Sequence, residues 1–527
     1  VKANSGNRFQ AIGVAVAALA VAKLLRTYYR WWTSPLRKLP SPSKSRNFLF
    51  GTFWDIQKEA FMEPHKRWLK EFGWEKNSLP FVYYTTVLGS ANVLVLDCDI
   101  VKEMLTSPSS SENVRFPKRI KFLAGLLGDG LLTLEGSDWS RHRRIIQPSF
   151  QVHVLRDALN EHVPLAVSVL IDAWKRAPGR EIDVSSHLSA LTLDIIGRVA
   201  FLYEFKALDL VTAWSHNTEQ DELGQVSDPL ITSLNETLRA DPRRILFSVL
   251  GLGGLDPGFR STKKHLNAAV DKLIANNKMD RAHTAPKSLV QLLFLATDHE
   301  DDNRTLSHVE LRDEAKTFLV AGHETTSTWC YWACFALAKY PEIQERVFQD
   351  IVKECPDGPI TIEAADRMEY LNGFLQEVLR LYPPVGILSR YTAKEEVLAG
   401  CRIPANTRLT YAPHLLHRHP RYWPDPDTFD PERWTKKAEI PGGRSHHFAF
   451  IPFSAGGRNC IGQRFATIEA LLMMGPLVRA FRVQLAPSQR ETEFRFTNYI
   501  VMKAKPHLKI CVSPRDEPGP AAAAVAT

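Results

Sequence analysis

The stretch from Ser307 to Tyr340 limits the folds open to this chain more than any other segment. It opens on the capping-box signature Ser307-His308-Val309-Glu310 and keeps helical character up to Pro341, which would end it. At 1.5 Å per residue, such a helix is about 50 Å long, enough to cross a whole domain. Helical patterning also dominates from Ile100 to about Leu210 and continues through Leu381. Val82–Leu96 reads as a β-hairpin turning near Gly89-Ser90. Val397–Ile403 and Thr407–Tyr411 read as a short β pair, with Asn406 suited to a left-handed turn position. The expected fold class is mainly α with small β-sheets.

Charge is unevenly placed. Residues 1–54 hold nine Lys or Arg and no Asp or Glu, whereas the remaining 57 basic residues are balanced by 58 acidic ones. The high pI therefore reflects a basic stem and not a nucleic-acid-binding face. Phe9–Leu25 is almost wholly apolar. As a helix it would span about 25 Å, slightly short of a ~30 Å hydrocarbon core. Tyr28, Tyr29, Trp31 and Trp32 follow, as at a lipid–water interface. The expectation is an N-terminal transmembrane helix with the large domain on the cytosolic side, since most basic residues come after the apolar run. A cleaved signal peptide ending near Ala18-Leu19-Ala20 is the alternative, with the charge on the wrong side for export. The expected organisation is a membrane anchor and basic stem over residues 1–38, one large domain over 39–512 and a disordered tail over 513–527. The segment Asp241–Gly258, with apolar residues such as Leu246 and Phe247, is either a membrane contact or a connecting loop.

The seven cysteines form no C-x-x-C pair and no zinc-like spacing, which suits a reducing compartment. Cys460 stands apart in Phe453-Ser454-Ala455-Gly456-Gly457-Arg458-Asn459-Cys460-Ile461-Gly462, ahead of Phe465, Ile468 and Leu472 at helical spacing. A helix N-terminus offers N–H groups and the positive dipole end, which favour thiolate over thiol. The glycines leave room for a flat, bulky group near the backbone. A thiolate ligand to haem iron suits that combination, and a buried structural thiol is the plain alternative.

Within the long helix lies Ala321-Gly322-His323-Glu324-Thr325-Thr326. A mid-helix Gly costs about 1 kcal/mol relative to Ala, so Gly322 should have a reason: it would let a ligand lie against the helix and the backbone open locally. The threonines either serve that ligand or back-bond to preceding carbonyls. Glu377 and Arg380 are three apart on a helix and can pair. Trp139 and Arg143 place an indole N–H and a guanidinium on one helix face.

In combination these segments resemble the cytochrome P450 family: the cysteine loop F-x-x-G-x-R-x-C-x-G, the A/G-G-x-D/E-T run, E-x-x-R, P-E-R-F and W-x-x-x-R, in family order. Trp434 in Pro431-Glu432-Arg433-Trp434 replaces the usual phenylalanine. The resemblance implies a haem-thiolate monooxygenase that inserts one oxygen atom of O2 into a lipophilic substrate (a fatty acid, sterol, terpenoid or carotenoid-like compound). It implies haem b, iron protoporphyrin IX, with Cys460 as iron ligand, and electrons from an NADPH-dependent reductase. It assigns Thr325 to the oxygen-binding side, Glu324 to the proton path and Arg433 to a structural cluster with Glu377 and Arg380. Trp139, Arg143, Arg458 and Arg390 would meet the propionates, and Phe453 would line the cofactor. Phe116, Phe122, Phe318, Leu319, Val385 to Leu388, Ile500 and Val501 are candidate pocket walls.

Some fatty-acid ω-hydroxylases of the family carry a glutamate bonded to haem. Ala321 holds the matching position, so that linkage is not expected. The endoplasmic reticulum membrane is the expected location, or an organelle membrane if an upstream targeting segment exists. Two other readings stay open: a haem-thiolate isomerase or dehydratase acting on peroxides without O2, which the presence of Thr325 argues against, and a non-catalytic haem carrier or sensor.

Overall fold

The computed structural model describes residues 3–73, 80–107, 124–212, 257–277, 288–295, 305–435, 446–498 and 501–515. Phe116, Phe122, Ile500, nearly all of 241–258 and the tail beyond 515 lie outside them. The chain divides into two compact units, residues 1–104 with 388–412, and residues 105–387 with 413–527.

The first unit holds helix α1 (Ala3–Trp32) and a four-stranded sheet. Phe81–Thr85 pairs antiparallel with Ala91–Val95 around a turn at Val87–Gly89, the expected hairpin. Arg408–Tyr411 does not pair with the preceding strand as expected. It runs parallel to Ala91–Val95 and antiparallel to Leu388–Tyr391. Three positive-φ residues explain the difference. Ala399 and Gly400 close a tight hairpin between Glu396–Leu398 and Cys401–Ile403, which satisfies both short strands. Asn406, at φ 61°, then turns the chain away to the larger sheet.

On α1, Val14, Leu19, Val21 and Leu25 are exposed. Among the described residues no helix is long and apolar enough to cross a membrane. The apolar run Phe9–Leu25 is interrupted by Gln10 and Lys23 and is rich in alanine.

The second unit is mainly helical. In chain order its main helices are α2 (Gly136–Ile146), α3 (Val152–Lys175), α4 (Val184–Phe201), α5 (His308–Lys339), α6 (Pro341–Glu354), α7 (Glu369–Leu381) and α8 (Gln463–Ala480). Helix α5 is the central rod. Ser307 caps it, its side chain accepting from the Glu310 N–H while the Glu310 carboxylate accepts from the Ser307 N–H. Pro341 does more than end α5: it occupies the first turn of α6, where a missing N–H costs nothing.

The C-terminal half of α5 is almost completely buried. There Trp332 stacks on Tyr382 at 4.7 Å and donates its indole N–H to the Met502 carbonyl at 2.8 Å. Burying an aromatic this size contributes several kcal/mol, on the order of the 3–5 kcal/mol lost on truncation to Ala. Lys509–Pro514 pairs antiparallel with Phe481–Leu485 and Ile182–Asp183, so regular structure runs into the start of the expected tail.

Candidate active site

The Cys460 loop is held by its own backbone. The Cys460 N–H donates to the Phe453 carbonyl at 2.9 Å, and the Asn459 N–H to that of Gly456 at 3.1 Å. Gly456 sits at φ +73°, and a Cβ there would lie 1.9 Å from the Leu105 carbonyl oxygen, so only glycine fits. Helix α8 starts at Gln463, slightly later than the spacing suggested. Solvent reaches Cys460, while neighbouring protein atoms desolvate its sulfur. Burial pushes the thiol pKa up, while the Gly462 N–H and the Arg143 charge pull it down. The expected preference for thiolate is therefore outweighed in the protein alone. A coordinated metal ion would reverse the balance, because it deprotonates a thiol outright.

Helix α5 supplies an opposing wall. Ala321, Thr325 and Trp329 lie at i, i+4 and i+8, on one stripe. Trp329 is buried and meets the Phe453 ring edge-on at 6.1 Å, so the stripe faces the cysteine loop. Further along it, Thr325 is half-buried and Ala321 exposed, although α5 is otherwise mostly core. The Thr325 hydroxyl donates to the Ala321 carbonyl at 2.8 Å, leaving its lone pairs available as acceptors. Gly322 does not open the helix, which continues unbroken. A Cβ there would meet Ile196 at 3.2 Å, so the glycine serves close packing against α4.

Two arginines reach the loop. Arg143 donates to the Asn459 carbonyl at 3.0 Å and to Asn459 Oδ1 at 2.9 Å. Arg458 lies over the Trp139 ring at 4.2 Å and donates to the Leu134 carbonyl at 2.9 Å. Trp139, Arg143, Phe453, Arg458 and Cys460 thus form one connected group. Arg390 belongs to the first unit, where it is buried in the strand Leu388–Tyr391 and donates to the Ser389 carbonyl at 3.2 Å.

Glu324 is engaged by groups the sequence did not point to. Its carboxylate accepts from the Ser189 hydroxyl at 2.9 Å and pairs with Lys503 at 3.2 Å. Burial works against the charged form, but Lys503, His323 and Ser189 outweigh it and hold the carboxyl below its usual range. Lys503 also donates to Ser185 at 3.1 Å. His323 is buried and bonds to the Leu319 carbonyl at 2.7 Å, in keeping with a structural role.

The Glu–Arg cluster is complete. Glu377 and Arg380 are both fully buried and joined by two bonds, at 2.7 and 2.8 Å. Arg433 lies 3.5 Å from Glu377. Trp434, the departure from phenylalanine, donates its indole N–H to Glu377 at 2.9 Å, a contact phenylalanine could not make. Arg380 spends its remaining donors on the carbonyls of His417, Pro426 and Thr428.

The family model for Cytochrome P450 matches residues 42–512. The chain belongs to the cytochrome P450 family. Among curated proteins it is 28% identical to human Cytochrome P450 4A11 over 94% of this chain and 92% of that protein. It is 28% identical to human Cytochrome P450 4X1 over 93% of both, and 31% identical to human Cytochrome P450 4Z1 over 73% of this chain and 75% of that one. This cytochrome P450 is a haem-dependent monooxygenase, an oxidoreductase that requires O2, an organic substrate and a redox partner.

The residues present fit the haem iron. A solvent-reached thiol carries an N–H and a guanidinium beside it, and glycine backbone borders it. Sequence reading of this P450 missed Lys503, Ser189 and Asn459. Each acts across 135 or more residues of chain, and no local pattern marks it.

Proposed function

We propose that residues 39–512 act as one haem-thiolate catalytic domain that oxidises a lipophilic substrate of the fatty-acid, sterol, terpenoid or carotenoid-like type. Electrons come from an NADPH-dependent reductase, and residues 1–38 hold the domain at the cytosolic side of the endoplasmic reticulum membrane. The observation that carries the reading is Cys460, reached by solvent and flanked by the Gly462 N–H and Arg143. Haem b bound there supplies reductive activation of O2 and transfer of one oxygen atom to the substrate.

The chain's residues do the rest. Cys460 would hold the iron as its thiolate ligand. Arg143 and Arg458, with the Trp139 indole, supply donors for the propionates, and Arg390 is assigned the same part. Phe453 lines the cofactor. Thr325 presents acceptor lone pairs on the stripe of α5 that carries Trp329. Glu324 moves protons by exchanging its bond to Ser189 or Lys503 for one to water, so those partners set the rate of delivery. Phe318, Leu319 and Val501 are buried and apolar, in keeping with a lipophilic substrate. The small Ala321 side chain leaves room above the threonine.

The test is the absorption spectrum of the reduced, CO-bound protein. The parent is expected to show the Soret band of thiolate-ligated haem, and Cys460→Ser to lose it. A band typical of histidine ligation in the parent overturns the assignment. Spin-state shifts across a lipid panel then identify the substrate class.

A further inference from the structure

Helices α2 and α5 meet through a buried polar pair that the mechanism above does not use. His142 on α2 is 1% exposed and Glu314 on α5 not at all. Glu314 Oε1 lies 2.7 Å from His142 Nδ1, so one proton is held between ring and carboxyl. Glu314 Oε2 accepts from the Leu131 N–H at 3.1 Å. The other ring nitrogen, Nε2, lies 3.0 Å from Arg141 Nη2 and 3.2 Å from Glu310 Oε1, and Arg141 pairs with Glu310. Beside Glu314, Asp313 Oδ2 accepts from the Asp129 N–H at 2.9 Å.

Two segments therefore hang from one turn of α5. The first is α2, which carries Trp139 and Arg143 along with His142. The second is the strap from Asp129 to Leu134, whose last carbonyl accepts from Arg458 at 2.9 Å. Those three residues are the ones assigned to the propionates in this unit. An apolar pair of similar size often joins two helices at least as firmly as a buried polar one. What the polar pair adds is direction, because hydrogen bonds hold only at short range and near-linear geometry.

We propose that the Glu314–His142 pair is a positioning hub for the haem. It fixes α2 and the strap against α5, so that Trp139, Arg143 and Arg458 meet the propionates in a single arrangement. This rests on the haem-thiolate reading above. Both residues act through others: His142 through its own helix, and Glu314 through His142 and the Leu131 N–H.

The experiment compares the haem-loaded full chain with His142→Asn, His142→Leu and Arg143→Ala. Two quantities are measured: the propionate bending bands of the resonance Raman spectrum, and the rate of haem transfer to an excess of apo-globin. Asparagine places an amide nitrogen near the position of Nδ1, keeps the bond to Glu314 and should retain the parent's bands and transfer rate. His142→Leu removes the bond and should shift or broaden the bands. It should also speed haem loss about tenfold, the equivalent of one lost hydrogen bond to a charged group. A pair that only stabilised the fold would lower the thermal midpoint and leave the bands in place.

The proposal is overturned if His142→Leu keeps the parent's bands and transfer rate, or if His142→Asn behaves like His142→Leu. Should His142→Leu fail to fold, Glu314→Gln takes its place. That neutral isostere weakens the bond to the ring, and parent-like bands in it overturn the proposal. Arg143→Ala removes a propionate donor directly and calibrates the shift. If it leaves the bands unmoved, the propionate assignment fails and the hub fails with it. If it moves them and His142→Leu does not, only the hub fails. Neither measurement needs turnover, and the CO spectrum tests the thiolate separately.

Discussion

Glu377 and Glu469 are the same side chain, equally removed from water in the same unit, yet the surroundings make them chemically different groups. Glu377 faces Arg380 and Arg433, accepts from Trp434 and from the Asp430 N–H, and forms a paired brace. Glu469, on α8, has its pKa raised to about 8 by burial. Glu324 is the intermediate case, with one lysine at 3.2 Å. Burial alone does not decide a carboxyl's state. The decision rests on how many cations and donors the fold brings to it, since burial penalises the charged form and only partners offset that penalty.

The largest test of this contrast removes a cation from Glu377. Arg380→Leu should cost about 3–5 kcal/mol, because it strands a buried charge and several carbonyls at once. Chemical denaturation or the yield of folded protein reads the loss. Retained stability would mean that Arg433 alone neutralises Glu377. Trp434→Phe is milder. It removes one donor to a charged acceptor and should cost roughly 1.5–3 kcal/mol, with ring packing kept. No change in the denaturation midpoint would reduce the indole contact to decoration.

Lys503→Met comes next, at about 1 kcal/mol near neutral pH. Glu324 is held below its usual range, so the stability it draws from Lys503 is present above its unfolded pKa of 4.5 and lost as pH falls through the folded value. Parent and variant should therefore converge only as the pH falls through that lowered folded value, below 4.5. A gap that persists in acid would assign the effect to packing of the lysine stem. The smallest change is expected for Arg402→Ala. Its partner Glu395 and Arg402 itself are largely exposed, and the midpoint should move by less than about 0.5 kcal/mol.

Much of this was legible in the chain itself, for reasons that differ by element. Helix α5 could be read from its cap and its period because both are local. The cysteine loop was legible because glycine at fixed places signals backbone geometry, and Gly456 meets the Leu105 carbonyl as such a glycine should. The pairing of Arg408–Tyr411 was misread, since strand partners are chosen by distant segments and a nearby strand is only the default. Gly322 was read as an opening and proved to be a packing contact, because what a missing Cβ would meet lies on another helix.

The sequence by itself determined the family and the haem-iron cofactor that the family implies, carried by short motifs whose spacing is read within one turn or loop. Only the tertiary structure decided the state of each buried acid. Lys503 reaches Glu324 across 179 residues of chain, Trp434 reaches Glu377 across 57, and nothing cationic reaches Glu469 among the described residues. Electrostatic energy depends on distance in space, and spacing along the chain does not encode it.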